Sequence, residues 1–310
     1  MKGFAQMKQA RCIGAIILLC ALGAQAGGVA RPVRDIYPNL VHGLLAAATL
    51  AELPEGVILQ CTELEVTQKD LADILAGSPA AIREQLRKNA VYLVDELATK
   101  KLLGAVAKRE ALRAGRSIAG KSNEEIVDDY AQGVIAGIEV TDAEVAEFYE
   151  SNEEMFGGAS LRKVRDSLRK FLVQNKRRKA LEEHVSTLAR GVRAAVSAPW
   201  IAQYAALARD NPVDKARASG LPSMVSFGGD GCRPCERMRP ALATLAQKFA
   251  GRANIVLVQA NVEIVLARRY GIHTLPTQIF YDKTGREVFQ HVGYYSQREI
   301  EAKLKEMGVE

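Results

Sequence analysis

Two thiols separated by two residues are the part of this sequence with the clearest chemistry. They lie in Gly231-Cys232-Arg233-Pro234-Cys235. An apolar run of strand type ends at Phe227, and a helical pattern opens at Pro234. A thiol at a helix N-terminus faces unpaired amide N–H groups and the positive end of the helix dipole. Both favour thiolate over thiol, so Cys232 is expected to be a nucleophile near neutral pH. Arg233 adds a positive charge beside it, and Pro234 suits a first turn where its missing N–H costs little. Cys235 is within bonding reach and would resolve a mixed disulfide formed by Cys232. Two other readings of the pair are weighed: half of a zinc site and a purely structural disulfide. Zinc needs two further Cys or His ligands. Only Cys61 and the scattered His42, His184, His273 and His291 remain to supply them.

Around this pair the chain alternates strands and helices. Strands are expected at Ser223–Phe227, Asn254–Gln259, Thr277–Tyr281 and Glu287–Val292, with a turn at Asp282-Lys283-Thr284-Gly285 in the final hairpin. Helices are expected at Pro234–Phe249, Val262–Tyr270 and Gln297–Met307. That order describes a small α/β sheet.

Upstream, from Thr67 to about Arg193, the pattern is helical and amphipathic. Thr67 with Asp70, Ser122 with Glu125 and Thr141 with Glu144 have the form of helix-start caps. Leu86, Val91, Val94, Leu97, Leu102 and Leu103 recur at helical spacing, and so do Val164, Leu168, Leu172, Leu181, Val185 and Leu188. Gly157-Gly158 marks a break between helices. A short helix is expected over Asn39–Ala51, a strand over Gly56–Cys61 and a further helix over Pro199–Asn211, which carries the only tryptophan, Trp200.

The chain has 310 residues and a net charge of +6. Lys2, Lys8 and Arg11 precede an apolar run from Cys12 to Leu22 and the small-residue pattern Ala24-Gln25-Ala26, which reads as an export signal cleaved near Ala26. The alternatives are a retained N-terminal anchor and lipid attachment at Cys20, the latter disfavoured by the bulk of Leu19. Without the three leader cations the charge falls to +3. Basic residues are interleaved with acids along the helices, which argues for a solvated face and against a nucleic-acid site. Export would remove Cys12 and Cys20 and leave Cys61 unpaired beside the closely spaced pair. Its readings are a buried small hydrophobe or a redox partner. No phosphate-binding glycine loop, flavin motif or metal motif is found, so the only cofactor expected is the Cys232–Cys235 disulfide itself.

Residues 219–308 resemble the thioredoxin family. The resemblance rests on strand Val225-Ser226-Phe227, the cysteine pair, Pro240 within the following helix, Asn261-Val262-Glu263, Tyr270-Gly271-Ile272, Thr274-Leu275-Pro276-Thr277, Gly285 and Gly293. It implies a cis Pro276 beside the cysteines and a substrate strand bound along the backbone at Leu275, with Thr274, Gly231 and Gly293 near it. It also implies thiol–disulfide oxidoreductase activity. The chain departs from the family at three places. Gly231 stands where a Trp is usual, Ser226 where a buried Asp is common, and Gln259 where its Lys partner would be.

Residues from about Gly56 to Arg193 are similar to the helical domain of SurA-like, parvulin-associated chaperones. The similarity lies in Val57-Ile58-Leu59-Gln60, Val66-Thr67 with Asp70-Leu71, and the stretch from Val140 to Tyr149 followed by the basic helix Arg162–Arg190. The isomerase domain common in that group has no room between Glu150 and Ser160, so no prolyl isomerase activity is expected.

The expected architecture is therefore two-domain: an all-α, chaperone-like domain followed by an α/β thioredoxin fold. Its boundaries are a signal at 1–26, a leader with a short helix at 27–55, the helical domain at 56–193, linker helices at 194–220 and the redox domain at 221–310. The expected function is an exported oxidoreductase, periplasmic or secreted, acting on protein thiol or disulfide clients with a redox partner. The second reading is a holdase or assembly chaperone with a vestigial redox centre.

Overall fold

A computed structural model describes residues 31–41 and 43–310. The expected signal, with Cys12 and Cys20, lies outside the described residues, as does His42.

The helix-rich part opens with α1 (Val33–Ile36), α2 (Gly43–Ala47) and the strands β1 (Thr49–Ala51), β2 (Val57–Gln60) and β3 (Glu65–Thr67). Six helices follow: α3 (Gln68–Gly77), α4 (Ala80–Lys88), α5 (Ala90–Arg113), α6 (Asn123–Ile135), α7 (Asp142–Ser151) and α8 (Leu161–Arg190). Strand β4 (Ala195–Ser197) and helix α9 (Ala198–Arg209) close this part. Thr67, Ser122 and Thr141 each accept from the backbone N–H three residues on, and the acid there bonds back, so α3, α6 and α7 begin with full capping boxes. Left-handed Gly157 and Gly158 divide α7 from α8.

Three expectations are corrected here. The part is not all-α: β1, β4, β2 and β3 form a four-stranded sheet in that order, with β1 parallel to β4 and the other pairs antiparallel. Strands of three residues are too short to show a period of two in sequence, and β4 joins from the far end of the helical segment. The supposed leader is core, because Val33, Leu44 and Leu45 are fully buried and Asn39–Ala51 is a one-turn helix plus a strand instead of one helix. Residues 194–209 are not a linker either. Val196, Trp200 and Ile201 belong to the same core cluster as Val91, Val94 and Leu102 of α5.

The α/β part begins with α10 (Pro212–Arg217), which the Asn-Pro punctuation concealed. Pro212 sits in its first turn and Asn211 caps it. Then come β5 (Ser223–Gly228), α11 (Arg233–Lys248), β6 (Asn254–Gln259), α12 (Ile264–Arg269), β7 (Thr277–Tyr281), β8 (Glu287–Val292) and α13 (Gln297–Glu306). The sheet order is β6-β5-β7-β8, with β5 and β6 parallel and the other pairs antiparallel. Strand β5 is central, so its residues are covered on both faces, and alternation sorts them into two cores. Met224 packs with Met238, Leu242 and Phe280 towards α11 and α13, whereas Val225 and Phe227 pack with Val213 and Leu266 towards α10 and α12.

The two parts meet along α12. Gln85 of α4 donates from Nε2 to Val262 O (2.7 Å) and accepts from Val265 N (3.3 Å), which ties α4 to the entry of α12. Deeper in, Arg269 (side chain 2% exposed) lies 3.0 Å from Asp214 (6% exposed) as an ion pair. Arg269 also donates to Ala208 O (2.7 Å) and Asn89 Oδ1 (3.4 Å). Tyr270 donates to Asp214 Oδ1 (2.9 Å), and burial, reinforced by Asp214, pushes its pKa up to about 12.

Candidate functional site

Strand β5 delivers the chain to a glycine turn, and that turn is what brings the cysteines onto a helix start. Gly231 has φ +75°, a left-handed backbone that a tryptophan in its place would adopt only with strain. Cys232 is then the N-cap of α11, and Cys235 N–H donates to Cys232 Sγ (3.3 Å). The backbone therefore points a donor at the first sulfur, which favours its thiolate when the pair is reduced. The two cysteines form a disulfide with Cα atoms 5.3 Å apart. Pro234 lies in the first turn, Pro240 sits inside α11 without ending it, and Arg233 is exposed.

The Leu275–Pro276 peptide is cis. Pro276 is buried, and its carbonyl accepts from Gly293 N (2.8 Å), which joins the predicted residues Pro276 and Gly293. Thr274 O accepts from Thr277 Oγ1 (2.7 Å), fixing the bend ahead of β7. The glycine turn after β5 links these residues to the cysteines. A Cβ on Gly228 would meet Cys235 Cβ at 3.4 Å, and one on Gly229 would meet Leu275 Cδ1 at 3.0 Å and Asn261 Oδ1 at 3.2 Å. Two adjacent positions without side chains thus let Cys235 and Leu275 approach the same backbone. Asn261 was only a landmark in sequence, and its role against Gly229 had no signal there.

Beneath Cys235 lies a recess of about 40 Å³ that also touches Ser226, Arg239 and Gln259. Ser226 is 5% exposed and sits opposite Gln278, which is fully buried, so the floor is polar and uncharged. Gln278 Nε2 reaches only Met238 Sδ (3.7 Å), and its Oε1 is buried without a hydrogen-bond partner. Gln259 is exposed at the end of β6. Sequence reading passed over Arg239, whose signal was its place one helical turn after Cys235. It also passed over Tyr294, which follows Gly293 and lies beneath the Arg237 guanidinium at 4.5 Å.

Two outlying residues were also candidates. Cys61 is a free, partly buried thiol on the loop between β2 and β3; desolvation pushes its pKa up, so it is a weaker nucleophile than an ordinary cysteine. His273, on the loop leading to Pro276, has its pKa lowered, first by desolvation and then by Arg178 of α8. Among the described residues no group of three or more His, Cys, Asp or Glu comes together as a metal cage, and no helix is long and apolar enough to cross a membrane.

Comparison with known proteins bears on residues 210–308, which match the family model for a thioredoxin-like domain. A thioredoxin from Alicyclobacillus acidocaldarius is 30% identical over 86 residues, 28% of this chain and 81% of that protein. The chain belongs to the thioredoxin family. A thioredoxin 1 from Nostoc sp. is 32% identical over 75 residues, covering 24% of this chain and 69% of its own length. A thiol:disulfide interchange protein TxlA homolog from Synechocystis sp. is 28% identical over 95 residues, 30% of this chain but only 53% of that protein. These relatives support a redox role at the level of the family. The thioredoxin-family match starts at residue 210 and so takes in α10, ahead of the expected boundary at 221. Val213 of α10 is fully buried in the thioredoxin core, which explains the earlier start.

Proposed function

We propose that this protein is an exported thiol–disulfide oxidoreductase that works on protein clients through Cys232 and Cys235, with its helix-rich part serving as a client platform. The observation that carries the reading is Cys232 at the N-cap of α11, bonded to Cys235 and receiving its N–H. With the disulfide formed, a client thiolate attacks Cys232 Sγ, the Cys232–Cys235 bond breaks, and Cys235 leaves as a thiolate. A second client thiolate then attacks the client sulfur of the mixed disulfide and releases Cys232. The same steps in reverse reduce a client disulfide, with Cys235 as the resolving nucleophile.

Export rests on the charged, apolar and small-residue sequence of the first 26 positions, which suits a periplasmic or secreted protein, or one held by that segment at a membrane. The platform reading rests on the SurA-like pattern and on an apolar hollow of about 200 Å³ between α7 and α8, walled by Val140 and Leu172 and edged by Lys176 and Lys179. Only residues 152–160 separate those helices, so the reading includes no isomerase domain there.

The test is turnover of insulin disulfides and of a reduced client. Cys232→Ser is expected to abolish both, and Cys235→Ser to accumulate client bound to Cys232. Unchanged turnover in Cys232→Ser would overturn the proposal. If a variant lacking both cysteines still protects clients from aggregation, the platform acts without the redox centre.

A further inference from the structure

The charges around α11 bear on the direction in which the pair works, a question that rests on the redox reading above. Cations in the first turns of a helix oppose its dipole. Between positions 233 and 239, α11 nonetheless carries Arg233, Arg237 and Arg239 against one acid, Glu236. Arg237 lies over the Tyr294 ring. Arg233 and Glu236 are exposed and do not touch the recess under Cys235. Arg239 does touch it. It stands four residues after Cys235, so both side chains lie on one face of the helix, and both line that recess.

The rest of that recess has no charge to set against the guanidinium. Its polar members are Ser226 and Gln259, and its remaining walls are Gly228 and Gly229 and the apolar side chains of Leu242, Leu257 and Val258. Gln278, opposite Ser226, is neutral too. Arg239, its side chain 55% exposed, pairs with Asp230 at 3.9 Å; Asp230 is 72% exposed and lies outside the recess, so water weakens that pair. Cys235 thus shares its recess with one cation and no carboxylate.

We infer that Arg239 is a positioning residue that stabilises Cys235 as a thiolate, making it a good leaving group and biasing the protein towards donating its disulfide. A leaving thiol of lower pKa departs faster, and a stabilised reduced form raises the reduction potential. In the forward reaction the protein disulfide takes two electrons from two client thiols, which become one client disulfide. Of the two client protons, one reaches Cys232 or solvent and the other stays in solvent while Cys235 remains a thiolate.

The experiment equilibrates the full chain with reduced and oxidised glutathione, the protein disulfide and two glutathione thiols exchanging with the protein dithiol and glutathione disulfide. Arg239→Gln is expected to shift this equilibrium towards the protein disulfide by roughly two- to fivefold, the range of a half-exposed ion pair, or about 10–20 mV for a two-electron couple. Arg239→Lys keeps the charge and should stay within about twofold of the native protein. In a Cys232→Ser background, the pH at which Cys235 begins to react with iodoacetamide should rise in Arg239→Gln and not in Arg239→Lys. An unchanged equilibrium in Arg239→Gln, or equal shifts in the Gln and Lys variants, would overturn the inference while leaving the oxidoreductase intact. A native protein that never equilibrates with glutathione would overturn both.

Discussion

Replacing Arg269 by methionine tests what fixes the helix-rich part to the redox domain. Arg269 is buried in α12 and touches Asp214 of α10, Ala208 O of α9 and Asn89 between α4 and α5. Methionine fills much of the volume but leaves Asp214 a buried carboxylate without its cation. Breaking a buried pair from one side costs about 3–5 kcal/mol. Asp214 keeps the Tyr270 hydroxyl (2.9 Å) and Asn211 Nδ2 (2.6 Å) as donors, so the expectation is about 3 kcal/mol, the lower end of that range. For a chain of 310 residues that lowers Tm by roughly 5 °C. The assay is urea denaturation followed both by far-UV circular dichroism and by the fluorescence of Trp200, which reports on the helix-rich core alone. In the native protein the two probes should coincide, and in Arg269→Met they should separate as the parts uncouple. Changing Asp214 to leucine as well should recover part of the loss, because no charge is then left buried. A loss under about 1 kcal/mol with coincident transitions would refute the argument that this pair couples the two parts.

Asp95 of α5 accepts from Leu45 N (2.9 Å) and is partly buried, and desolvation pushes its pKa up to about 7. A carboxyl with a raised folded pKa loses stability as pH rises from its unfolded value near 4 to 7, so thermal melts should weaken over that window by at most about 4 kcal/mol, and Asp95→Asn should flatten the slope. Gly229→Ala would push Leu275 or Asn261 away from the turn. Its expected effect is a several-fold rise in KM for protein clients with far less change towards a small thiol, read by steady-state kinetics with each. Thr141→Ala removes the α7 cap that bonds Glu144 N, itself held to a pKa of about 2 first by Lys176 and then by Thr141. The expected cost is about 1 kcal/mol in chemical denaturation, with redox turnover unchanged.

The redox half was legible because its signals are local. Strand Asn254–Gln259 has the bounds read from its apolar run, and the cysteine pair announces its helix through Pro234. The three capping boxes were legible for the same reason, each spanning three residues. What could not be read depends on partners distant in sequence. Strands β1 and β4 are three residues each and exist because they pair with one another. Val33 and Leu45 sit beside glycine-rich sequence that resembles a leader, yet α5 and α9 bury them. At the site, residue types revealed the nucleophile, but Arg239 and the paired glycines Gly228 and Gly229 act through proximity across elements, which no local pattern displays.

The parallel pairing of Thr49–Ala51 with Ala195–Ser197 also sets an order of assembly. Everything from α3 to α8 is strung between two strands that meet side by side, so the first sheet cannot close until residue 197 has been synthesised. Until then the β2–β3 hairpin has its Val196 partner missing and one edge open. Closing so long a loop is slow compared with making local helices. On a ribosome helices α3 to α8 would therefore form early and wait, and the core around Trp200 would lock only as the redox domain begins to emerge. The docking surface that α12 needs would be completed just ahead of α12 itself.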